Sequence, residues 1–286
     1  MTYELSSDNV VAPFADFSDN RFTLTNLKKK VAPLPGGKIP FFNHYNKLCS
    51  IEHFGTHMDA PNHVLKTEEE AAEADTAEKV PLTSLVGEAC VIDVPEKHKY
   101  KGSDYALTVE DVQNWEKQHG FFHKDCIVLI RSGQGKYWPN ANDYLGRGIA
   151  GSPVGSHWPG MSPEAAEFIV RRRGLKALGQ DALSIDIGAT SEFYHSVHTV
   201  VLGANKPAFE NVKSLDKLPN RGATVVALPM KIKGGSGGMV RILAYGWDGP
   251  DDPCRYDHDS VSGAESRKIH WAAVLSVLVG MALALH

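Results

Sequence analysis

The residues best equipped for chemistry lie in one short segment, His53-Phe-Gly-Thr-His57-Met-Asp59-Ala-Pro61-Asn-His63. Three imidazoles and a carboxylate this close together are the usual donors for a zinc-like ion. His53 and His57 are four apart, so one helical turn or a tight loop aims both at one ion. The segment is not HExxH, because Phe54, Gly55 and Thr56 fill the interval and no Glu is present to act as base. Gly55 and Pro61 point instead to a compact turn, with Gly55 letting backbone approach the site. A structural ion normally takes four protein ligands, whereas a catalytic ion keeps a position open. His53, His57 and Asp59 make three, leaving room for a water that the ion acidifies. His63 then remains as the general acid/base. The plain alternative is a surface cluster, since the chain has 13 histidines. The adjoining Asp and the two conformation-fixing residues favour the metal.

The elements that must position this segment are read from apolar pattern and caps. Residues 1–50 are rich in Pro, Gly and Asn and read as irregular. Cys90–Val94 and Cys126–Arg131 read as strands, as do Ala182–Ile187, His198–Leu202, Ala223–Pro229 and Val240–Tyr245. Thr108 to Gly120 reads as a helix, with Thr108 as N-cap and acids Glu110 and Asp111 in its first turn. A second helix opens at Ser162-Pro163-Glu164 and runs to Arg173. Strands and helices alternate irregularly, so the expected class is α/β (or α+β) with a mixed sheet. Gly234-Gly-Ser236-Gly-Gly238 formally matches the GxSxG nucleophile elbow. The residues after it, from Met239 to Tyr245, are strand-like rather than helical, so a glycine-rich hairpin loop is the expectation. Asp181 and Asp186, near a strand, read as polar or supporting residues rather than ligands.

Composition bounds the rest. The chain has 286 residues, of which 42% are apolar, enough for one large core or two modest ones. A net charge of −4 with no basic stripe argues against nucleic acid as a partner. Cys49, Cys90, Cys126 and Cys254 show no CxxC and read as reduced thiols. From Gly249 the chain turns polar, as a linker would. The run Trp271–Leu285 is apolar all round and short for a spanning helix, which needs about 17–20 residues. It reads as a membrane-targeting tail, either an anchor or a GPI signal. The N-terminus, which shows no apolar leader segment, argues against the latter.

The signature HxGTHxDxPxH resembles that of the cyclase-like amidohydrolases, a family including bacterial kynurenine formamidase and isatin hydrolase. The stretches LTVEDVQNWEKQHG, IVLIRSGQGKYWP, HWPGMSPEAA, LSID, HTVVLGANKPAFENV and LPNRGATVVALPMKIKGGSGGMVRILA resemble further blocks of it. The resemblance implies a swivelling β/β/α single domain and a homo-oligomer. It implies first metal ligands at His53, His57 and Asp59 and an acid/base at His63. In the formamidase branch Asp59 bridges to a second ion, completed by His198 and Glu210. By itself His198 at the head of an apolar strand reads as a satisfied core histidine; the resemblance makes it a ligand. The implied cofactor is Zn2+ or Mn2+, one or two ions per chain. The implied substrate is a small amide, N-formylkynurenine-like or isatin-like. Two departures concern the pocket. Asp16-Phe17-Ser18 begins a family pattern, but no Trp-Pro comes after it, and Gln134 stands where many relatives carry Trp. They motivate the alternative of a catalytically inactive, membrane-tethered binding protein. The expected organisation is an irregular segment 1–15, a hydrolase domain 16–248, a linker 249–270 and a tail 271–286. Its expected location is membrane-associated through the tail, or else cytoplasmic.

Overall fold

The computed structural model describes residues 1–7, 9, 22–27, 44–122, 126–146, 155–188 and 195–246. Eleven strands form among the described residues: β1 (Thr23–Leu27), β2 (Tyr45–Cys49), β3 (His57–Asp59), β4 (Val86–Asp93), β5 (Ala106–Leu107), β6 (Cys126–Arg131), β7 (Gly160–Met161), β8 (Ala177–Gln180), β9 (Ala208–Glu210), β10 (Thr224–Pro229) and β11 (Gly237–Tyr245). The α-helices are α1 (Glu68–Glu73), α2 (Leu82–Leu85), α3 (Val109–His119), α4 (Ala141–Tyr144), α5 (Pro163–Phe168) and α6 (Ser196–Gly203).

Seven strands close into a barrel in the order β10-β11-β3-β9-β8-β6-β4. The run β4, β6, β8, β9 is parallel, and the remaining pairings are antiparallel. This is the mixed sheet the sequence implied. The continuous apolar runs of β4 and β6 reflect burial on both faces. Their side chains alternate. Val91, Ile127 and Leu129 point inward with Met58, Phe209, Val225 and Ile242, a set drawn mainly from the barrel strands. Ile92, Val128 and Ile130 point outward onto Val112, Trp115, Ile169 and Val201 of the covering helical segments.

Helix α3 starts as its sequence demands. Thr108 Oγ1 accepts from Asp111 N–H while the Asp111 carboxylate accepts from Thr108 N–H, a reciprocal capping box, and Gly120 ends the helix at φ +84°. Its Trp115 Nε1–H donates to the Val91 carbonyl at 2.7 Å, pinning the helix to β4. Ser162 caps α5 with Pro163 in its first turn, and the helix continues to Arg173 as a π-turn.

Four expectations are corrected. Residues 1–50 are not wholly irregular, because β1 and β2 pair there as an antiparallel ribbon. Ala182–Ile187 forms no strand: β8 ends at Gln180, and the chain then leaves the sheet so that Asp181 can accept from Ser132 and Gly133 N–H. His198–Leu202 belongs to α6, whose buried residues Val197, His198, Val201 and Leu202 recur at helical spacing. Cys90 and Cys126 are joined in a disulfide with Cα atoms 5.8 Å apart. Their distance in sequence hid that β4 and β6 are neighbours and turn both cysteines to the outer face. Cys49 is free and exposed.

Met1–Trp247 forms one compact unit. The expected linker 249–270, the apolar tail 271–286 and Cys254 lie outside the described residues, as do Asp16-Phe17-Ser18; of the stretch after them, residues 22–27 are described and hold β1. Among the described residues no helix is long and apolar enough to cross a membrane.

Candidate metal centre

The signature segment is neither helix nor surface cluster. It runs through a tight turn into β3, and each residue of the motif has a local task. Gly55 sits at φ +64°, where a side chain is strained. Its carbonyl accepts from His57 Nδ1–H at 2.9 Å and from Asn211 Nδ2–H at 2.9 Å. Thr56 Oγ1 donates to the Asn211 carbonyl at 2.7 Å and accepts from Tyr3 N–H at 3.1 Å. Asn211 Oδ1 in turn accepts from the Tyr144 hydroxyl at 2.8 Å. Gln134, the other departure, is buried and its amide donates to the Tyr144 carbonyl. After β3, His63 N–H donates to the Ala60 carbonyl, and that turn brings its ring back onto His53.

Strand periodicity assembles the rest. His57 and Asp59 are two apart on β3 and share a face, opposite to Met58 in the barrel interior. On β9, Glu210 is the direct partner of His57, so its carboxylate lies on that same outer face. Helix α6 covers this face and supplies His198.

The distances define a compact set. His53 Nδ1 is 2.7 Å from Asp59 Oδ1, and His57 Nε2 is 3.2 Å from that oxygen and 3.5 Å from Glu210 Oε2. His198 Nε2 is 3.1 Å from Glu210 Oε1 and 3.4 Å from Asp59 Oδ2. His63 stacks on His53 with centroids 3.8 Å apart and lies 6.2 Å from the His198 ring. All six residues singled out in the sequence therefore come together. Among these six residues, two triads have ligand atoms close enough to share an ion, His53/His57/Asp59 and Asp59/His198/Glu210, and Asp59 belongs to both.

Tautomers show what this set demands. His57 gives its Nδ1 proton to a carbonyl, which can only accept, so in the neutral ring Nε2 is a bare lone pair. His198 gives its Nδ1 proton to Asp186 Oδ2 at 2.5 Å, leaving Nε2 in the same condition. Both lone pairs face carboxylate oxygens, acceptor against acceptor. Asp59 Oδ2, fully buried, has no hydrogen-bond partner. Such an arrangement calls for positive charge at its centre. Protons can supply part of it. Burial pushes His57 down, but the Asp59 and Glu210 carboxylates outweigh that and raise it to about 9. Burial likewise opposes His198, and Asp186, Asp59 and Glu210 raise it well above its ordinary value. Burial pushes the Asp59 carboxyl up, but the surrounding imidazoles hold it well below the usual carboxylate range. A divalent cation meets the same demand in one body, and nitrogen and oxygen donors of this kind suit Zn2+ or Mn2+. His63 differs, because burial lowers it to about 3 and keeps it neutral near pH 7.

Three supporting residues escaped notice in the sequence or were read too weakly. Asp186 holds both His198 Nδ1 and the Val197 N–H at 2.6 Å, so one carboxylate fixes the ring and the first turn of α6. His195, at φ +58°, stands edge-on to His198 with centroids 5.4 Å apart and groups with Asp186 and His198. Its only sequence signal is the spacing His195-Ser-Val-His198. Ser236, set aside there as a hairpin serine, lies 2.9 Å from His53 Nε2. The hairpin is confirmed, since β11 and not a helix comes after Ser236.

Known proteins share this fold and part of this sequence. The chain is 29% identical to isatin hydrolase of Roseibium aggregatum over 207 residues, covering 72% of this chain and 75% of that one. It is 27% identical to kynurenine formamidase of Erythrobacter litoralis over 197 residues, covering 69% and 74% respectively. The solved structure of isatin hydrolase A from Ralstonia solanacearum superposes with a TM-score of 0.72 at 29% identity, over 85% of this chain and 89% of that one. A family model described as putative cyclase matches residues 1–187, which hold the whole signature and most of the parallel half of the barrel. The histidine-rich turn, the barrel that carries it and that match agree: the chain belongs to the putative cyclase family.

Proposed function

We propose that this chain hydrolyses the amide C–N bond of a small molecule at a site built from His53, His57, Asp59, His198 and Glu210. The substrate is an aryl formamide such as N-formylkynurenine or a lactam such as isatin. The hydrolase class rests on the relatives, one named for opening isatin and one for a formamide. The observation that carries the site is the convergence of the His57 and His198 Nε2 atoms on the Asp59 and Glu210 carboxylates, with Asp59 Oδ2 unsatisfied. One or two ions, Zn2+ or Mn2+, fit this donor set, with Asp59 Oδ1 facing the first triad and Oδ2 the second.

A bound divalent ion supplies Lewis acidity, polarising the carbonyl and acidifying water. The protein does the rest. His63 is stacked beside His53, placed to take a proton from the attacking water and deliver it to the leaving nitrogen. No side-chain nucleophile is needed, and Ser236 is not one. Asp186 keeps the His198 lone pair turned inward throughout. Homo-oligomeric assembly belongs to the same reading. The alternative of an inactive binding protein rests on the two pocket departures; the convergence of the ligand set supports the enzymatic reading over it.

The reading is tested by screening metal-loaded protein against aryl formamides, lactams and simple esters. Turnover of a formamide or lactam, lost on chelation and restored by Zn2+ or Mn2+, is expected. Metal binding without turnover of any of the three classes would leave the enzymatic reading without support.

A further inference from the structure

The run Gly234–Gly238 holds no nucleophile, yet it is shaped around one side chain. Glu52 Oε2 accepts two hydrogen bonds from Ser236, one from its N–H at 2.9 Å and one from its hydroxyl at 2.7 Å. A hydroxyl has a single proton. With that proton on Glu52, Ser236 Oγ can only accept from His53 Nε2, which lies 2.9 Å away. Nε2 therefore carries a proton, and Nδ1 is the nitrogen turned toward Asp59 Oδ1, 2.7 Å away.

The flanking glycines explain how the loop comes so near. A Cβ on Gly237 would stand 2.6 Å from His53 Cε1 and 2.5 Å from the Met58 carbonyl oxygen. One on Gly235 would stand 2.8 Å from Glu52 Oε1. Only bare backbone fits behind this ring and this carboxylate.

We propose that Glu52 and Ser236 are positioning residues for His53. They fix its tautomer and ring plane so that Nδ1 is presented as a ligand to the metal centre. The proposal rests on the metal-centre reading above. Supporting partners of this kind act through ligand orientation and basicity, and their loss costs about 10–100-fold in metal affinity. A purely structural tie between the Glu52 turn and the β10–β11 hairpin would not need the imidazole at all.

The test is a chelator-competition titration with Zn2+ and with Mn2+ on the full chain. It compares wild type, Ser236→Ala, Ser236→Thr and Glu52→Ala, each checked for folding by thermal unfolding. Long-range 1H–15N spectra of the imidazoles accompany it, with His53 assigned by its loss in His53→Asn. Ser236→Ala and Glu52→Ala should bind about 10–100-fold more weakly, while Ser236→Thr, which keeps the hydroxyl, should restore affinity. Wild-type spectra should show His53 as the Nε2–H form, and Glu52→Ala should lose that preference. If Ser236→Ala does not fold, Glu52→Ala decides from the other side of the clamp. Unchanged affinity in the folded variants, or an Nδ1–H His53 in wild type, overturns the proposal and leaves the metal centre standing. If wild type binds neither ion, the metal-centre reading falls instead. The proposal falls with it as regards ligation, whatever tautomer the spectra report.

Discussion

Asp59 divides its two oxygens between two sets of imidazoles. Oδ1 faces His53 and His57, and Oδ2 faces His198. Substitutions should therefore separate the two halves. His57→Ala removes a member of the first triad and is expected to abolish both metal content and turnover. Glu210→Gln weakens only the second triad. If two ions bind, elemental analysis should fall from near two toward one per chain while the first ion stays. A stoichiometry of one in both wild type and Glu210→Gln would assign the chain to a single-ion mode. Asp186→Asn keeps shape but removes the charge that fixes His198, and should weaken metal binding about 10–100-fold, read by the same chelator competition. The first triad was legible because its members are neighbours in sequence and their types alone imply ligation. Asp186 was legible only as a polar or supporting residue; which ligand it supports was not, because a lone Asp carries no such signal until α6 brings His198 onto it. Glu210 was reached only through resemblance, since nothing local announces that β9 pairs with β3.

At the scale of elements, misreadings had physical causes. His198-Thr-Val-Val-Leu202 is rich in β-branched residues and looks like a strand. As part of α6 it satisfies its apolar residues by burying them against β9 and α5 instead. The apolar strands β4 and β6 and the capped helices α3 and α5 were read correctly, because each is announced by its own residues. Closure of the barrel was not legible, because register between distant strands is a tertiary property. Core packing gives a direct check. Phe209 fills the interior between β3 and β8, so Phe209→Ala is expected to cost about 3–5 kcal/mol in denaturant unfolding. The Arg131 guanidinium joins Asp93 to the carbonyls of Leu215 and Leu218 and to Asn220, tying β4 and β6 to the segment before β10. Burial pushes the Asp93 carboxyl up, but hydrogen bonds from Arg131 and Lys99 outweigh it and hold it below its ordinary value. A depressed carboxyl stabilises the fold above the unfolded-state value and loses that contribution as pH falls through the folded one. Asp93→Asn should thus lower Tm at neutral pH, with the gap to wild type closing below about pH 4. A gap that stays constant into acid would show that the ion pair is not its source.

For the whole molecule, the hydrolase reading was available from one segment plus blocks of resemblance, while the apolar tail remains a property of sequence alone. Met1–Trp247 is a compact unit by itself, so a chain ended after Asp252 should fold and retain activity, measured against the full-length protein. Loss of folding would place the tail in the core or in an interface. Every residue of the β1–β2 ribbon is exposed, including Leu24, Leu27, Tyr45 and Leu48. A two-stranded ribbon is marginal alone in water, so a second copy of the chain is its expected cover. Light scattering should then give at least a dimer, reduced toward monomer by Leu24→Glu with Leu48→Glu, and a monomeric wild type would contradict this. The central claim is that hydrolysis depends on the ion held around Asp59. Its most direct measurement is turnover of isatin and N-formylkynurenine by wild-type and His57→Ala protein, before and after chelation, with metal content determined on the same samples. The account expects activity only in metal-loaded wild type, vanishing with the metal in both treatments. Undiminished turnover by metal-free His57→Ala protein would contradict it.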